Sequence, residues 1–354
     1  MRAILILLLV TVAARAESRA EAVEAAAALA KEQSREIRRS RYVGTLSLHF
    51  ENDTFANNSD DNFTAGFGLT WTSAPIRRYG FRNVFRRLVE DYWSFLPQIS
   101  NPEFKKQVQI HIGYELYTPT DISTPVPPPG EHPYASVFHI DFGVYAVREK
   151  SMHAYFIRTG LVGPATQGGR IQKWMHKSTG RESPEGWDSQ HPNEPLFNLL
   201  YTYQRRLVRW IRGYGFGFDA AVNAGGIVGN YAVAVRGGLQ ARAGYGLPKN
   251  FERSSPLSIP EEVAGRYDRD RKRSFYLLLQ ATGAYAPYFM PSDGSAFQDS
   301  FSVSRDELSF RVIVGAALSI GRFEAAIRFV VYGSADEPPR ANDDYGVVTV
   351  SWTF

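Results

Sequence analysis

The chain has 354 residues, of which 44% are hydrophobic and 14% aromatic, and its formal net charge is +4. It contains no cysteine, which excludes a disulfide scaffold, a thiol nucleophile and a cysteine-ligated metal. The charge is small and no nucleic-acid-binding motif is present, so nucleic acid is not expected as a partner. The aromatic content and the 30 glycines favour a β-rich envelope protein over an average cytosolic domain.

The first residues have the pattern of a secretory signal peptide. Met1-Arg2 is a short positive region, an apolar run follows, and Ala14-Arg-Ala16 matches an A-x-A cleavage site. The apolar run is well short of the ~20 residues that a membrane-spanning helix needs. Residues 1–16 are therefore predicted to be removed. Residues 17–41, rich in Ala, Glu and Arg, predict a helical or partly disordered periplasmic arm, for which a partner-binding helix is the alternative.

From residue 42 onward the sequence predicts strands. On the third, Ile110, Ile112 and Tyr114 share one face while His111 and Glu115 point to the other. Strand character recurs in twelve stretches, at about 42–50, 63–73, 106–117, 134–147, 152–162, 197–210, 213–223, 231–243, 273–286, 308–319, 321–333 and 344–354. Alternating apolar and polar faces in an even number of strands are typical of bacterial outer-membrane proteins. We therefore predict an all-β, transmembrane antiparallel β-barrel over residues 42–354, in the outer membrane of a Gram-negative bacterium.

The strand count also predicts which connections face the cell exterior. If the first strand starts in the periplasm, the outer loops are 51–62, 118–133, 163–196, 224–230, 287–307 and 334–343. Two inner connections, 74–105 and 244–272, are unusually long. The first contains a basic-aromatic helical stretch, 81–93, that could lie on a membrane surface or plug the inner mouth.

The polar motifs of the chain all fall at the predicted outer rim. They are Glu51-Asn-Asp-Thr-Phe55, Asp60-Asp-Asn-Phe-Thr-Ala-Gly66, Tyr117-Thr-Pro119, His132-Pro-Tyr-Ala135, Gly163-Pro-Ala-Thr-Gln-Gly-Gly169 and Gln172-x-x-x-His176. Chance would scatter such motifs over both ends of a barrel. Their clustering therefore indicates a site that is exposed to the outer leaflet.

His176 is the candidate general base, since imidazole is the side chain that transfers protons near neutral pH. In a helix of the third outer loop Gln172 and His176 share a face, and that helix could lie across the barrel opening. Strand alternation predicts that Asp53 and Thr64 meet inside the wall. Asp53 could bind a hard cation together with Asp60 and Asp61, although acidic rim residues more often meet solvent. The other six histidines are expected to be surface residues: His49, His111, His132, His139, His153 and His191.

At these motifs the chain resembles the outer-membrane lipid A 3′-O-deacylase family. The similarity runs through ENDTF at 51–55, D-x-F-T-A-G at 61–66, Y-T-P at 117–119, P-Y-A at 133–135, and G-P-x-x-x-G-G-x-x-Q-x-x-x-H ending at His176. It continues through Trp187-x-x-Gln190 and, more weakly, to the closing aromatic strand. One departure is the lysine that the family has shortly after its Y-[ST]-P motif, since here Asp121-Ile-Ser-Thr124 and a proline-rich run occupy that loop.

The resemblance implies a twelve-stranded barrel that uses calcium to remove the 3′-acyloxyacyl chain of lipid A in the outer leaflet, a carboxylic ester hydrolysis. It implies His176 as the base that activates water, with Asn52 and Asp53 near the metal. Three further active-site positions of the family are matched by Thr64, Gln172 and Glu182. The alternatives are a non-catalytic porin or lipid-binding barrel, and an outer-membrane phospholipase.

Overall fold

The computed structural model describes residues 44–52, 62–76, 89, 91–213, 215–251, 273–334 and 344–354. Within these residues twelve antiparallel strands close into a barrel in which β1 pairs with both β2 and β12. The strands are β1 (Gly44–Asn52), β2 (Asn62–Ser73), β3 (Lys105–Thr118), β4 (Ala135–Arg148), β5 (Ser151–Val162), β6 (Glu194–Ile211), β7 (Phe216–Gly229), β8 (Ala232–Tyr245), β9 (Arg273–Phe289), β10 (Leu308–Ile320), β11 (Phe323–Ser334) and β12 (Tyr345–Thr353). The predicted fold class is confirmed.

Short helices occupy some of the connections. They are α1 (Pro97–Ser100), α2 (Gly168–Thr179), α3 (Met290–Asp293) and two 3₁₀ helices, Pro164–Thr166 and Gly186–Ser189. The helix α1 belongs to one compact unit, and the barrel from Gln107 onward belongs to another. No described helix is long and apolar enough to cross a membrane.

The strands owe their two faces to the strict alternation of their side chains. On β11 the apolar side chains of Ile327, Phe329 and Val331 are exposed on the outside of the wall, whereas Glu324 and Arg328 are buried in the lumen. Lipid covers the first face in a membrane, and other luminal side chains surround the second. The two charges of this strand therefore lie on its luminal face.

The outer half of the lumen is filled by an apolar layer. Val137 on β4 and Ile313 on β10 belong to one buried cluster, although five strands lie between β4 and β10 in either direction around the wall. The buried members of this cluster are Tyr117, Ala135, Val137, Val162, Leu196, Leu200, Ile227, Tyr231, Ala232, Ala234, Ala286, Met290, Ile313, Val330, Tyr345 and Val347. Facing walls meet at the hydroxyls of Tyr117 on β3 and Tyr231 just before β8, which are 3.0 Å apart, and Met290 adds α3 to the cluster.

The inner half is closed by the start of the connection after β8. Arg206 donates to the carbonyl oxygen of Lys249 at 2.7 Å, and its guanidinium lies 4.4 Å from the ring centre of Phe251. Arg209 donates to the carbonyl oxygen of Leu247 at 2.8 Å. The Asp219 carboxylate accepts a hydrogen bond from Arg209 at 2.9 Å. One of these two arginines is thus paired with an acidic side chain. The segment is thus held in the inner mouth by arginine side chains of β6.

The predicted boundaries differ from the structure mainly at the outer loops. Residues 224–230 were expected to form a loop, but β7 continues to Gly229 and β8 begins at Ala232. The hydrogen-bonded ladder therefore extends further outward than the alternation alone predicts. Residues 1–16, 17–41, most of 81–93 and 252–272 lie outside the described residues, so the predictions made for them stay predictions.

The expectation that six histidines are surface residues is wrong for five of them. His49, His111 and His139 are buried in the lumen, and His132 and His191 are buried under the outer loops. Burial has a different cause in the two groups. The first three lie on the inward face of their strands, and the last two are covered by the connection between β9 and β10, since His132 contacts Ser292 at 3.1 Å and His191 contacts the carbonyl oxygen of Pro291 at 3.2 Å.

Acid is expected to loosen this outer covering. Burial lowers the pKa of His132 to about 4, and the neighbouring His191 adds to the effect, while a hydrogen bond to Pro133 and the charge of Asp293 oppose it. In a released loop the same imidazole would titrate near 6.5. The released state therefore binds more protons between these values, and the packed loop loses stability as the pH falls from about 6.5 towards 4. Limited proteolysis of residues 294–307 as a function of pH would measure this.

A His132→Gln variant provides the control, because glutamine does not titrate in this range. Its cleavage rate should depend less on pH between 6.5 and 4 than that of the unmodified protein. Equal pH dependence in both proteins would contradict the assignment of the effect to His132.

Candidate active site

The helix α2 lies against the outer wall of the barrel, beside β3. Leu116 shares a strand face with Ile112, which is 40% exposed, yet Leu116 itself is fully buried. It is covered by a cluster that also contains Ala65, Ile122, Tyr134 and Trp187, with Ile171 and Met175 of α2 packed against it. Since Leu116 faces away from the lumen, this cluster lies on the lipid side. The expectation that the helix crosses the barrel opening is therefore wrong.

Hydrogen bonds fix the start of this loop to the same side of the wall. The hydroxyl of Tyr114 donates to the carbonyl oxygen of Thr166 at 3.0 Å. Ser136, on the outward face of β4, shares a 2.5 Å hydrogen bond with the Thr166 hydroxyl. Two neighbouring strands thus hold the 3₁₀ helix that precedes α2, and α2 begins from a fixed point.

His176 is buried on the face of α2 that is turned towards the wall. The helix ends at Gly180, whose φ of 71° is left-handed and reverses the chain. The reversal brings the carbonyl oxygen of Glu182 to 2.5 Å from His176 Nδ1. A carbonyl oxygen only accepts, so Nδ1 carries the proton and Nε2 is the basic nitrogen of the ring. The imidazole is therefore held in the tautomer that a general base needs.

Gln172 lies one helical turn before His176 and is fully buried. Its Oε1 accepts a 2.6 Å hydrogen bond from the indole Nε1 of Trp187, and this donor fixes which end of the amide is oxygen. Its Nε2 has no hydrogen-bond partner within the described part of the chain. A buried donor without a partner is costly, so this amide group is arranged to meet an acceptor that binds from outside the protein.

The structure brings some of the other predicted residues to this side of the wall. Asn52 is buried at the end of β1, on the face that exposes Leu48, and its neighbours along the wall are Ala65 and then Leu116. Glu182 contributes its backbone carbonyl to His176, while its own side chain is exposed. The row of Asn52, Ala65 and Leu116 leads directly to the cluster that supports α2.

Two predicted residues are not placed by the structure. Asp53 lies outside the described residues, and the side chain of Thr64 is not described either. The pairing of β2 with β3 shifts register between Phe63 and Ala65. Simple alternation along β2 therefore stops at Thr64, and the meeting of Asp53 and Thr64 inside the wall stays a prediction.

Sequence reasoning missed a charged cluster in the lumen. His139 lies between two carboxylates, with Nδ1 3.0 Å from Asp141 and Nε2 3.2 Å from Glu115. Arg158 binds both oxygens of Asp141, at 2.8 and 2.9 Å. Gly113 makes room for the His139 ring, because a Cβ on Gly113 would lie 2.3 Å from its Nε2.

The same cluster has the residue types of a metal site. Ligand atoms of His111, His139 and Asp141 lie within 4.8 Å of one another. The carboxylate of Asp141 is already engaged by the Arg158 guanidinium, and both ring nitrogens of His139 face carboxylates. A cation would have to displace these partners beside a positive charge. The geometry is that of a buried ion-pair network, and it lies in the lumen, on the other side of the wall from His176.

Comparison with protein-family models identifies the family of this chain. The family model described as outer membrane protein LpxR matches residues 4–354. The chain belongs to the LpxR family. This membership places the protein in the outer membrane and confirms the family resemblance read from the motifs.

Solved structures support the same fold. The chain is similar to LpxR from Salmonella typhimurium, with a TM-score of 0.70 and 14% identity over 88% of this chain and 100% of that one. At this identity the similarity shows the fold alone. The β domain of the Bordetella autotransporter BrkA gives a TM-score of 0.45 and 9% identity over 88% and 99% of the two chains, which is too low to carry an argument. No curated protein matches the chain in sequence.

The family resemblance implies a calcium ion held by Asn52 and Asp53. Of these two the structure describes only Asn52, a buried residue on the outer face of β1 whose side chain carries an amide oxygen. Oxygen ligands of this kind are those that calcium prefers. His176 is not suited to join them through Nδ1, because that atom donates to Glu182.

Proposed function

We propose that the protein is a lipid A deacylase of the outer membrane that hydrolyses the ester of the 3′-acyloxyacyl chain. The observation that carries this proposal is the pairing on α2 of an oriented imidazole, His176, with a buried amide donor without a partner, Gln172. Both lie on the lipid side of the wall, at the outer rim. A lipid ester in the outer leaflet can reach them without leaving the membrane.

The reaction follows from the two side chains. Nε2 of His176 takes a proton from a water molecule, and the oxygen of that water attacks the carbonyl carbon of the ester. The carbonyl oxygen becomes an oxyanion, to which Nε2 of Gln172 donates a hydrogen bond. When the intermediate collapses, the C–O bond of the ester breaks and the imidazolium returns its proton to the leaving sugar oxygen. The products are a free fatty acid and a hydroxyl group on the sugar.

Calcium bound by the oxygens of Asn52 and Asp53 would polarise the ester carbonyl as a Lewis acid. The protein's own residues have separate tasks. Trp187 holds the Gln172 amide at 2.6 Å, and the carbonyl of Glu182 holds the His176 ring. Two fixed side chains on one face of a short helix are a preorganised site, because neither has to reorient during the reaction.

The filled lumen favours a hydrolase over the porin alternative. The hydroxyls of Tyr117 and Tyr231 meet across the lumen, and Phe251 is buried with Tyr145 and Met152 at the inner end of the barrel. Side chains of the described residues thus occupy the lumen, whereas a porin keeps a water-filled channel there. A phospholipase would use the same chemistry, and its products would differ.

Purified protein incubated with lipid A and calcium tests the proposal by the masses of the products. Loss of one acyloxyacyl group is the expected result. Hydrolysis of added glycerophospholipid with lipid A left intact would indicate the phospholipase, and no hydrolysis of either would overturn the proposal.

Gln172→Glu is expected to lower kcat by about 10²–10³-fold with little change in KM. The glutamate can still accept the hydrogen bond from Trp187, but it lacks the Nε2 donor and adds negative charge beside the oxyanion. Initial rates over a range of lipid A concentrations would separate the two constants.

Gln167→Glu is the matched control, because Gln167 is an exposed residue at the start of the same helix. It adds the same charge to α2 and should leave both constants nearly unchanged. An equal fall in kcat for both variants would show that charge on the helix, and not the lost donor, is responsible.

A further inference from the structure

The face of α2 that is turned away from the barrel is basic and aromatic. Arg170, Lys173 and Lys177 are exposed on it, and Trp174 is 69% exposed among them. At 100° per residue these four side chains fall on one stripe of the helix. The helix contains no acidic residue, so its outward surface carries three positive charges around one large ring.

These cations have no carboxylate partner within the described residues. Arg170 donates to the side chain of Gln167 at 3.2 Å, a neutral group. Three exposed acidic residues follow the helix, Glu182, Glu185 and Asp188, and no ion pair joins them to the stripe. Unpaired ammonium and guanidinium groups beside an exposed indole are suited to an anionic ligand in an interfacial layer.

The position of α2 on the wall indicates which layer of the membrane the basic stripe occupies. The exposed apolar band of the barrel includes Leu69 and Ile112. Leu116, beside which α2 packs, is four residues further outward on β3, roughly 13 Å along the strand. The stripe therefore lies outside the hydrocarbon region, at the level of the lipid headgroups, where tryptophan rings are enriched.

We propose that this basic stripe binds the phosphate groups of a second lipid A molecule, adjacent to the one that is hydrolysed. The headgroup layer outside the band is where the phosphates of this glycolipid lie, and Arg and Lys bind phosphate through charge-assisted hydrogen bonds. At 100° per residue Arg170 and Lys177 lie about 100–160° around the helix from Gln172 and His176, whereas Lys173 lies about 60° from His176. A phosphate bound between Arg170 and Lys177 is therefore separated from the reacting ester by a helix about 10 Å thick. It belongs to another molecule, which holds α2 at a fixed depth in the leaflet.

Lipid binding can be measured without hydrolysis in a His176→Ala background. Native mass spectrometry of this protein in nonionic detergent, titrated with bisphosphorylated lipid A, is expected to show two bound lipids. Adding R170Q, K173Q and K177Q should weaken the second lipid on the order of 100-fold, at about 1 kcal/mol for each cation. Lipid A stripped of both phosphates should bind only once to the protein with an intact stripe.

A charge-matched control removes three exposed cations at the inner end of the barrel, K150Q, R205Q and R212Q. It should keep the second lipid. Retention of that lipid after loss of the stripe, or equal binding of the dephosphorylated lipid, would overturn the proposal. The proposal does not depend on hydrolysis: if the lipid at His176 were missing while a phosphate-dependent lipid remained, the deacylase assignment would fail and the stripe would stand.

Discussion

Replacing His176 by alanine is expected to lower the rate of lipid A deacylation by about 10²–10⁴-fold, the usual contribution of a general base. The barrel should remain folded, because His176 lies in a loop helix outside the strands and its Nδ1 donates to a backbone carbonyl of the same loop. Release of fatty acid from purified lipid A measures the rate. The heat-induced shift in electrophoretic mobility that folded barrels show would report the fold.

The matched control is His153→Ala. His153 is a histidine of β5 that is only partly exposed and lies on the outward face of the wall, bonded to Tyr201 at 2.9 Å. It has no place in the mechanism, so this variant should keep its activity. Full activity of His176→Ala would refute the proposed base, and equal losses in both variants would point to a general effect of removing imidazole from the barrel surface.

Replacing Arg158 by methionine is expected to destabilise the barrel by about 3–5 kcal/mol. Arg158 is fully buried and binds both oxygens of Asp141. Without the guanidinium, His139 would be the one described hydrogen-bond partner left to the Asp141 carboxylate, whereas Glu115 would keep the hydroxyls of Tyr117 and Tyr231. Urea unfolding in detergent, followed by tryptophan fluorescence, would measure the change in the free energy of unfolding.

Two further variants separate charge from packing. Arg205→Met changes an exposed arginine of β6 and should shift stability by no more than about 0.5 kcal/mol. Arg158→Met combined with Asp141→Asn removes the uncompensated charge and should recover part of the loss. If the double variant were as unstable as the single one, the loss would come from packing and not from an unpaired buried charge.

The strands could be predicted from the sequence because alternation is a local property. Apolar residues at every second position, such as Ile110, Ile112 and Tyr114, identify one face of a strand. An even number of such stretches is typical of a closed outer-membrane barrel. Strand ends were less predictable, since the ladder that extends β7 to Gly229 depends on pairing with another strand. The filled lumen was not predicted either, because contacts such as the one between Tyr117 and Tyr231 join residues far apart in the chain.

The shared helix face of two candidate site residues could be predicted, but their position on the barrel wall could not. The spacing of Gln172 and His176 predicts one helix face, and the structure confirms that face. Alternation shows that Leu116 points outward, yet it cannot show that a loop covers it. The Glu182 carbonyl reaches His176 because the chain reverses at Gly180. Contacts of backbone atoms cannot be predicted from a pattern of side chains. The luminal network was missed for a related reason, since Glu115 and Tyr231 are bonded across 116 positions of sequence.

Under the proposed function, the seat of α2 on the outside of the wall also determines how the substrate would arrive. A lipid would reach His176 by lateral diffusion within the leaflet, and not through the lumen. Encounter would then be a two-dimensional process. The velocity of such an enzyme is governed by the mole fraction of its substrate in the surrounding lipid, so that diluting lipid A with inert amphiphile slows the reaction even when its total concentration is constant.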